Sequence, residues 1–156
     1  MKNSSLTKAI SYKDFKKEVL DDYKTILISR EASLLGRKEV LSGKAKFGIF
    51  GDGKELPQVA MAKVFEKGDF RSGYYRDQTF MFSIDKLTVQ QFFAGLYANT
   101  NFDEEPMSGG RQMGSHFSSV FVDEKGKFKD LPNQYNISSD ISPTSGQMPR
   151  LLGLAM

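Results

Sequence analysis

The sequence predicts a soluble, largely helical domain that is incomplete by itself, and three observations carry that reading. Phe15, Val19, Tyr23 and Ile26 recur at spacings of three and four, the period of an amphipathic helix. Two further helical segments follow, separated by glycine-rich connections. From residue 99 to 149 the chain is rich in Gly, Pro, Ser and Asn, and it ends on LLGLAM, an apolar fragment with helical character. Such an ending predicts that the core is completed elsewhere, on a longer chain or against another subunit.

The first helix, within residues 1–36, is expected to start at a capping box, Ser11 with Asp14 three residues on. It is expected to end or break at Gly36, and its apolar stripe makes it a packing helix whose charged remainder faces water. The connection GIFGDGKELPQ, residues 48–58, holds three glycines, an aspartate and a lysine. It is no Walker loop, because Lys54 precedes a glutamate rather than Ser or Thr. Asp52 with Glu55 instead reads as an Asp-x-x-Glu cap, with flanking glycines that let the chain turn into the helix. That second helix is expected from Glu55 to Phe65. Pro57 fits its first turn, where no intrahelical N–H bond is lost. A third helix is expected from Lys86 to Tyr97, with Leu87, Phe92, Phe93 and Leu96 buried and a neighbouring backbone close to Gly95. A loop as long as residues 99–149 is uncommon in a compact domain unless it is functional or covers a partner.

Composition removes several classes of function. At 156 residues the chain is long enough for one domain with a real core. Cysteine is absent, which excludes disulfides, thiolate catalysis and sulfur-ligated metals together. Neither a signal-peptide centre nor an apolar run of about 18 residues is present, so no membrane partner and a cytoplasmic location are expected. The formal charge of +3 comes from scattered lysines rather than one basic block. Tyr74, Tyr75 and Arg76 could clamp a base, but without a basic groove nucleic acid is not the expected partner. Mild basicity equally suits an anionic cofactor.

The chemical candidates lie in three segments. In GYYRD, residues 73–77, the rigid fork of Arg76 and a tyrosine hydroxyl suit the oxygens of a phosphate or pyrophosphate. The alternative, Arg76 paired with Asp77 or another carboxylate while the tyrosines pack, stays open. His116 is the only histidine, so an imidazole acid–base step of this chain must use it. It lies in GGRQMGSHFSS, where Arg111 either binds an anion or ties the loop down. With one histidine there is no zinc set, and no GxSxG surrounds a serine. ISSDISPTSGQMP, residues 137–149, is a proline-restricted turn whose backbone either faces a ligand or simply precedes the last helix.

Taken in order, GDGKELPQVAMAKVFEKGDF, YYRDQTFMF, GGRQMGSHFSS and ISPTSGQMP resemble the alpha part of the thiamine-diphosphate-dependent 2-oxo acid dehydrogenase E1 component, and look closest to its branched-chain type. The resemblance covers residues 27–156. It implies an α/β fold, of which this chain would be the N-terminal, largely helical part of a thiamine-diphosphate-binding domain, spanning 37–156 with an active-site-proximal loop region. It also implies that Tyr75 and Arg76 hold the cofactor's diphosphate, that Ser142 and Thr144 match the turn facing its aminopyrimidine ring, and that His116 lies near cofactor or substrate. Thiamine diphosphate and magnesium are the implied cofactors of the complete enzyme. The implied partners are an E1 beta part, separate or fused, a further copy of the chain, and an E2 lipoyl acyltransferase. The family's metal motif, a GDG after the SPT-like turn with an asparagine further on, falls past Met156, so no metal ligands are expected here. The early Gly51-Asp52-Gly53 is not that motif, because residues 79–84 contain no asparagine. The chain is therefore expected to be inactive alone. Two other readings stand beside this one: a non-enzymatic helical interaction domain, and a binder of another phosphorylated ligand through Arg76 and Arg111.

Overall fold

The computed structural model describes residues 10–139 and 142–156. A long helix α1 (Tyr12–Leu41) is followed by α2 (Glu55–Ala62), strand β1 (Phe70–Ser72), α3 (Gln78–Ser83), α4 (Val89–Leu96), a 3-10 turn at Leu131–Asn133, strand β2 (Asn136–Ser138) and α5 (Gln147–Ala155). The two strands pair in parallel, Phe70 opposite Asn136, Arg71 opposite Ile137 and Ser72 opposite Ser138. The arrangement is α/β, with helices gathered around one short parallel pair.

The capping box at the start of α1 forms as its residues require. The Asp14 N–H donates to the Ser11 hydroxyl at 3.2 Å, and that hydroxyl donates to the Asp14 carboxylate at 2.6 Å. The helix does not stop at Gly36 but continues to Leu41. Gly36 is a packing position: a Cβ there would stand 2.5 Å from the Phe50 ring. The body-facing stripe of α1 is Ser29, Ala32, Ser33 and Gly36, small residues that admit close neighbours. The apolar stripe expected to pack is largely turned to solvent, with Phe15, Val19 and Tyr23 about half exposed. Its first half is held by charge instead, Lys63 bridging Glu18 and Asp22.

Helix α2 starts at Glu55 as expected but ends at Ala62, three residues before Phe65. The expected Asp52 cap does not form. Lys54 occupies the cap position without a side-chain bond, and Asp52 pairs with Arg37 at 2.5 Å. Glu55 takes over the turn: both of its carboxylate oxygens accept the Gly53 N–H, at 3.1 and 3.0 Å. Arg30 grips the same carboxylate through Nε at 2.6 Å and Nη2 at 2.9 Å. These bonds from Arg30, with help from the backbone and against the cost of burial, hold the Glu55 pKa down to about 2. A depressed carboxylate pKa stabilises the fold above the unfolded value and loses that contribution as pH falls toward the folded one. The chain is therefore expected to lose on the order of 2 kcal/mol between pH 5 and pH 2 through this group, discounted because Arg30 is partly exposed. Urea unfolding across that range, compared with Glu55→Gln, checks it: the pH slope should be shallower in the variant.

The apolar core joins Ala32, Phe80, Met81, Ile84, Leu87, Phe92, Phe117 and Ile137. Helix α3, which periodicity did not predict, supplies Phe80 and Met81 to it. The third expected helix is shorter than residues 86–97, because Thr88 and Gln91 form a capping box that starts it at Val89. The Gly114 backbone does come beside Gly95, an added Cβ on Gly114 standing 3.7 Å from the Gly95 carbonyl carbon, while a Cβ on Gly95 itself would meet only the Glu105 side chain at 3.8 Å. A closer approach falls on Gly110, where a Cβ would stand 2.5 Å from the Ala98 carbonyl.

The described residues of the segment 99–149 are mostly exposed but are anchored to the core at a few points. Phe117 and Ile137 are buried, and the Ser119 N–H donates to the Ile137 carbonyl at 2.8 Å. Helix α5 has no buried residue among those described, and Met148, Leu151 and Leu152 face outward.

Candidate functional site

Three segments far apart in sequence meet at one place. The turn 73–77 between β1 and α3 is built by Asp77, whose carboxylate accepts the Tyr74 N–H at 2.8 Å and pairs with the Arg71 guanidinium. Arg71 is itself nearly buried and lies 4.4 Å above the Phe80 ring. Asp77 thus pairs with Arg71, and the alternative in which it neutralises Arg76 does not form.

The Arg76 backbone is fixed from below. Its carbonyl accepts the Gln58 amide at 3.0 Å. With the Gln78 amide oriented to satisfy every neighbour, its nitrogen donates to the same carbonyl at 3.2 Å, while its oxygen accepts from Gly51 N–H at 3.2 Å and Ser33 hydroxyl at 2.7 Å. Gln58 and Gln78 are both almost fully buried. Gly51 lies directly against the Arg76 carbonyl, leaving no room for a Cβ. The first glycine of the GDG is therefore a spacer beneath the arginine.

Above this base, the Arg76 guanidinium lies 5.7 Å from the Tyr75 ring centre, and its Nε is buried without a hydrogen-bond partner among the described residues. It also lines an open cleft of about 380 Å³ with Arg37, Asp52 and Phe50. The Tyr74 and Tyr75 hydroxyls share a hydrogen bond of 2.5 Å. That contact pulls the Tyr74 phenol below the ordinary tyrosine value and pushes Tyr75 above it.

The other two segments close over the tyrosines. His116 stacks on Tyr75 with centres 5.9 Å apart and planes 21° apart. Its Nδ1 is 2.9 Å from the Met113 carbonyl and its Nε2 is 2.9 Å from the Ser142 hydroxyl. A carbonyl only accepts, so Nδ1 carries the proton and Nε2 is free to accept from Ser142 when the ring is neutral. Thr144 lies near enough to the Tyr74 hydroxyl to help, after Tyr75, in drawing its pKa down. The five residues singled out in the sequence, Tyr75, Arg76, His116, Ser142 and Thr144, thus form one contact set through Tyr74. Ser115 and Ser145, on the two closing segments, have φ of 71° and 67°. Non-glycine residues held in that region cluster at functional sites.

Arg111 does not join them. Its guanidinium donates to the Ser108 carbonyl at 3.2 Å and lies 5.0 Å from the Phe102 ring centre, so it ties down its own loop. Sequence reasoning missed Gln58 and Gln78, which hold Arg76 in place, and Glu105, which organises the histidine loop. Nothing in the residues beside them, Pro57 and Val59, Asp77 and Thr79, Glu104 and Pro106, marks these three out.

The two tyrosine hydroxyls, the Arg76 guanidinium and an imidazole stacked on the Tyr75 ring thus lie beside one another. Among the described residues no three of His, Asp and Glu converge into a set fit to hold a metal, and no helix is long and apolar enough to cross a membrane.

No protein-family model matches the chain. The chain is similar to the alpha subunit of 2-oxoisovalerate dehydrogenase from Bacillus subtilis (strain 168), with 30% identity over 144 residues, 89% of this chain and 37% of that protein. The likeness supports a distant relationship to the alpha subunits of 2-oxo acid dehydrogenase E1 components. The chain spans well under half the length of that relative.

Proposed function

We propose that the chain is part of the alpha component of a thiamine-diphosphate-dependent E1 that oxidatively decarboxylates branched-chain 2-oxo acids. The observation that carries this reading is the meeting of Tyr75, Arg76, His116, Ser142 and Thr144 at one site, in a chain similar to a 2-oxoisovalerate dehydrogenase alpha subunit. What supports the fit to the cofactor's anionic end is the Arg76 Nε, a buried donor with no hydrogen-bond partner among the described residues, beside a Tyr75 hydroxyl that accepts from Tyr74.

In this reading Tyr75 and Arg76 hold the diphosphate, and Gln58, Gln78 and Gly51 keep the Arg76 backbone still so that the guanidinium is pre-aimed. Ser142 and Thr144 border the aminopyrimidine ring. His116, through Nε2, is the group of this chain able to hold or move a proton beside the substrate. When bound, thiamine diphosphate supplies the electron sink for loss of carbon dioxide, and the protein supplies position and neutralises charge. The residues present do not fit the accompanying magnesium, so no step is assigned to it. An E1 beta part would complete the site, and the lipoyl group of an E2 acyltransferase would receive the acyl fragment. The isolated chain is expected to be inactive and not to bind thiamine diphosphate tightly; tight binding in isothermal titration with the cofactor and magnesium would overturn that expectation.

The test is a chimera in which this chain replaces the matching segment of the Bacillus subtilis alpha subunit, assembled with that enzyme's beta subunit. Thiamine-dependent release of carbon dioxide from 2-oxoisovalerate is expected. A chimera that folds and assembles yet shows no thiamine binding overturns the reading. Within the chimera, Arg76→Ala should weaken cofactor affinity about 10- to 100-fold by removing charge-assisted hydrogen bonds, measured by isothermal titration; unchanged affinity would refute that role.

One observation favours a second reading, a non-enzymatic interaction module: the outward-facing apolar side chains of α1 and α5. That module would show no response of Tyr75 or His116 to thiamine diphosphate in the assembled protein. The third reading, an anion clamp using both Arg76 and Arg111, loses its second member to the Ser108 carbonyl.

A further inference from the structure

Glu105 is a carboxylate in an unusual place. It is 4% exposed, and no lysine, arginine or histidine pairs with it among the described residues. Its partners are donors of the turn that follows it. Oε1 accepts the Met107 N–H at 3.0 Å. Oε2 accepts the Ser108 N–H at 2.9 Å, the Ser108 hydroxyl at 2.8 Å and the Gly110 N–H at 2.9 Å. Burial alone would raise its pKa, but the bonds from Gly110, Ser108 and Met107 outweigh burial and keep it below the ordinary glutamate value. The carboxylate is thus held charged by backbone dipoles in place of a cation.

What these bonds organise continues directly to His116. Ser108 Oγ accepts the Gln112 N–H at 3.2 Å, and the Ser108 carbonyl accepts Arg111. Gly109 and Gly110 are both at positive φ, 58° and 71°, and Gly110 packs against the Ala98 carbonyl. Gly114 then lies against the end of α4, within 3.5 Å of Leu96 for an added Cβ, and Phe117 enters the core. Between these anchors the Met113 carbonyl is presented to His116 Nδ1.

We propose that Glu105 is the positioning residue of the histidine loop: by gathering the N–H groups of Met107, Ser108 and Gly110 on its carboxylate it places the Met113 carbonyl, which fixes His116 as the Nδ1–H tautomer and leaves Nε2 as the acceptor facing the site. Glu105 acts through the loop and does not touch the site itself. Its functional meaning rests on the reading of His116 as a site residue, but the tautomer is observable without any cofactor.

His116 being the only histidine, its ring nitrogens give one pair of NMR signals in the 15N-labelled chain. The parent is expected to show a protonated Nδ1 and an unprotonated Nε2 at alkaline pH. Glu105→Gln keeps the shape and allows the three contacts at the Oε2 position, but it turns an amide N–H₂ toward the Met107 N–H. The ratio of Nδ1–H to Nε2–H tautomer should fall at least about twofold, the scale that one lost hydrogen bond carries. Glu105→Ala, which removes all four contacts, should bring the two tautomers to the balance of a free imidazole. Glu104→Gln, on the same turn but exposed, should match the parent. A folded Glu105→Gln chain with the parent's tautomer ratio overturns the proposal, whatever the alanine variant does. Failure of the cofactor reading shows separately, as absent thiamine binding in the chimera with the parent's histidine signals intact.

Discussion

Phe80→Ala is expected to lower stability by about 3–5 kcal/mol, the range for deleting a fully buried ring. The ring is 0% exposed, meets Phe65 edge-on with centres 5.2 Å apart, and carries the Arg71 guanidinium on its face. A void here removes both contacts, the edge-to-face aromatic pair among them. The loss should reach the site as well. The Phe80 N–H donates to Gln58 Oε1 at 2.9 Å, and the other end of that amide holds the Arg76 carbonyl. For a domain of this size the melting temperature should drop by roughly 10 °C. Urea unfolding of the variant, beside Phe128→Ala at a ring 77% exposed, makes the comparison. A loss at Phe80 no larger than that at Phe128 would contradict the packing described.

Gly51→Ala is expected to cost about 1–3 kcal/mol and to displace Arg76. The cause is space and not backbone conformation, since Gly51 is not among the residues at positive φ. An added Cβ would collide with the Arg76 carbonyl and lie 2.7 Å from the Gln78 amide. Neither neighbour can withdraw cheaply: one is backbone, and the other is buried and hydrogen-bonded. Two residues on, Gly53 presents the opposite case, with φ of 90° and nothing near an added Cβ. Asparagine tolerates the left-handed region far better than alanine. Gly53→Asn should therefore cost some backbone strain but less than Gly51→Asn, and in the chimera only the Gly51 change should weaken thiamine diphosphate binding. Equal stability of the two asparagine variants in thermal unfolding would refute the spacer role.

These two sites also show where sequence reasoning reached and where it stopped. The α1 start, the α2 start and the existence of α4 follow from local chemistry: a Ser-x-x-Asp box, a glycine turn into a proline-bearing first turn, and clustered Leu and Phe. The box that starts α4, Thr88 with Gln91, was equally readable in KLTVQQ. Helix α3, six residues long, and the two three-residue strands are too short for a period of 3.6 or 2 to declare itself. Asp52 was read as a cap because its spacing to Glu55 allows one, and nothing local announces that Arg37 will arrive from α1 to take it.

From the sequence, the resemblance of its ordered segments to an E1 alpha part is what joined Tyr75, Arg76, His116, Ser142 and Thr144; local chemistry by itself left each of them a plain structural alternative. Tertiary structure alone decided which face of α1 is buried and what holds the site. Periodicity marks where apolar residues recur, and it chose Phe15, Val19 and Tyr23. The fold instead buried Ser29, Ser33, Gln58, Gln78 and Thr79, because their hydrogen bonds to one another and to backbone offset the cost of removing them from water. Satisfaction of a buried polar group depends on partners up to 50 residues away, as with Ser29 and Thr79. Neighbouring letters in a sequence carry no record of such partners.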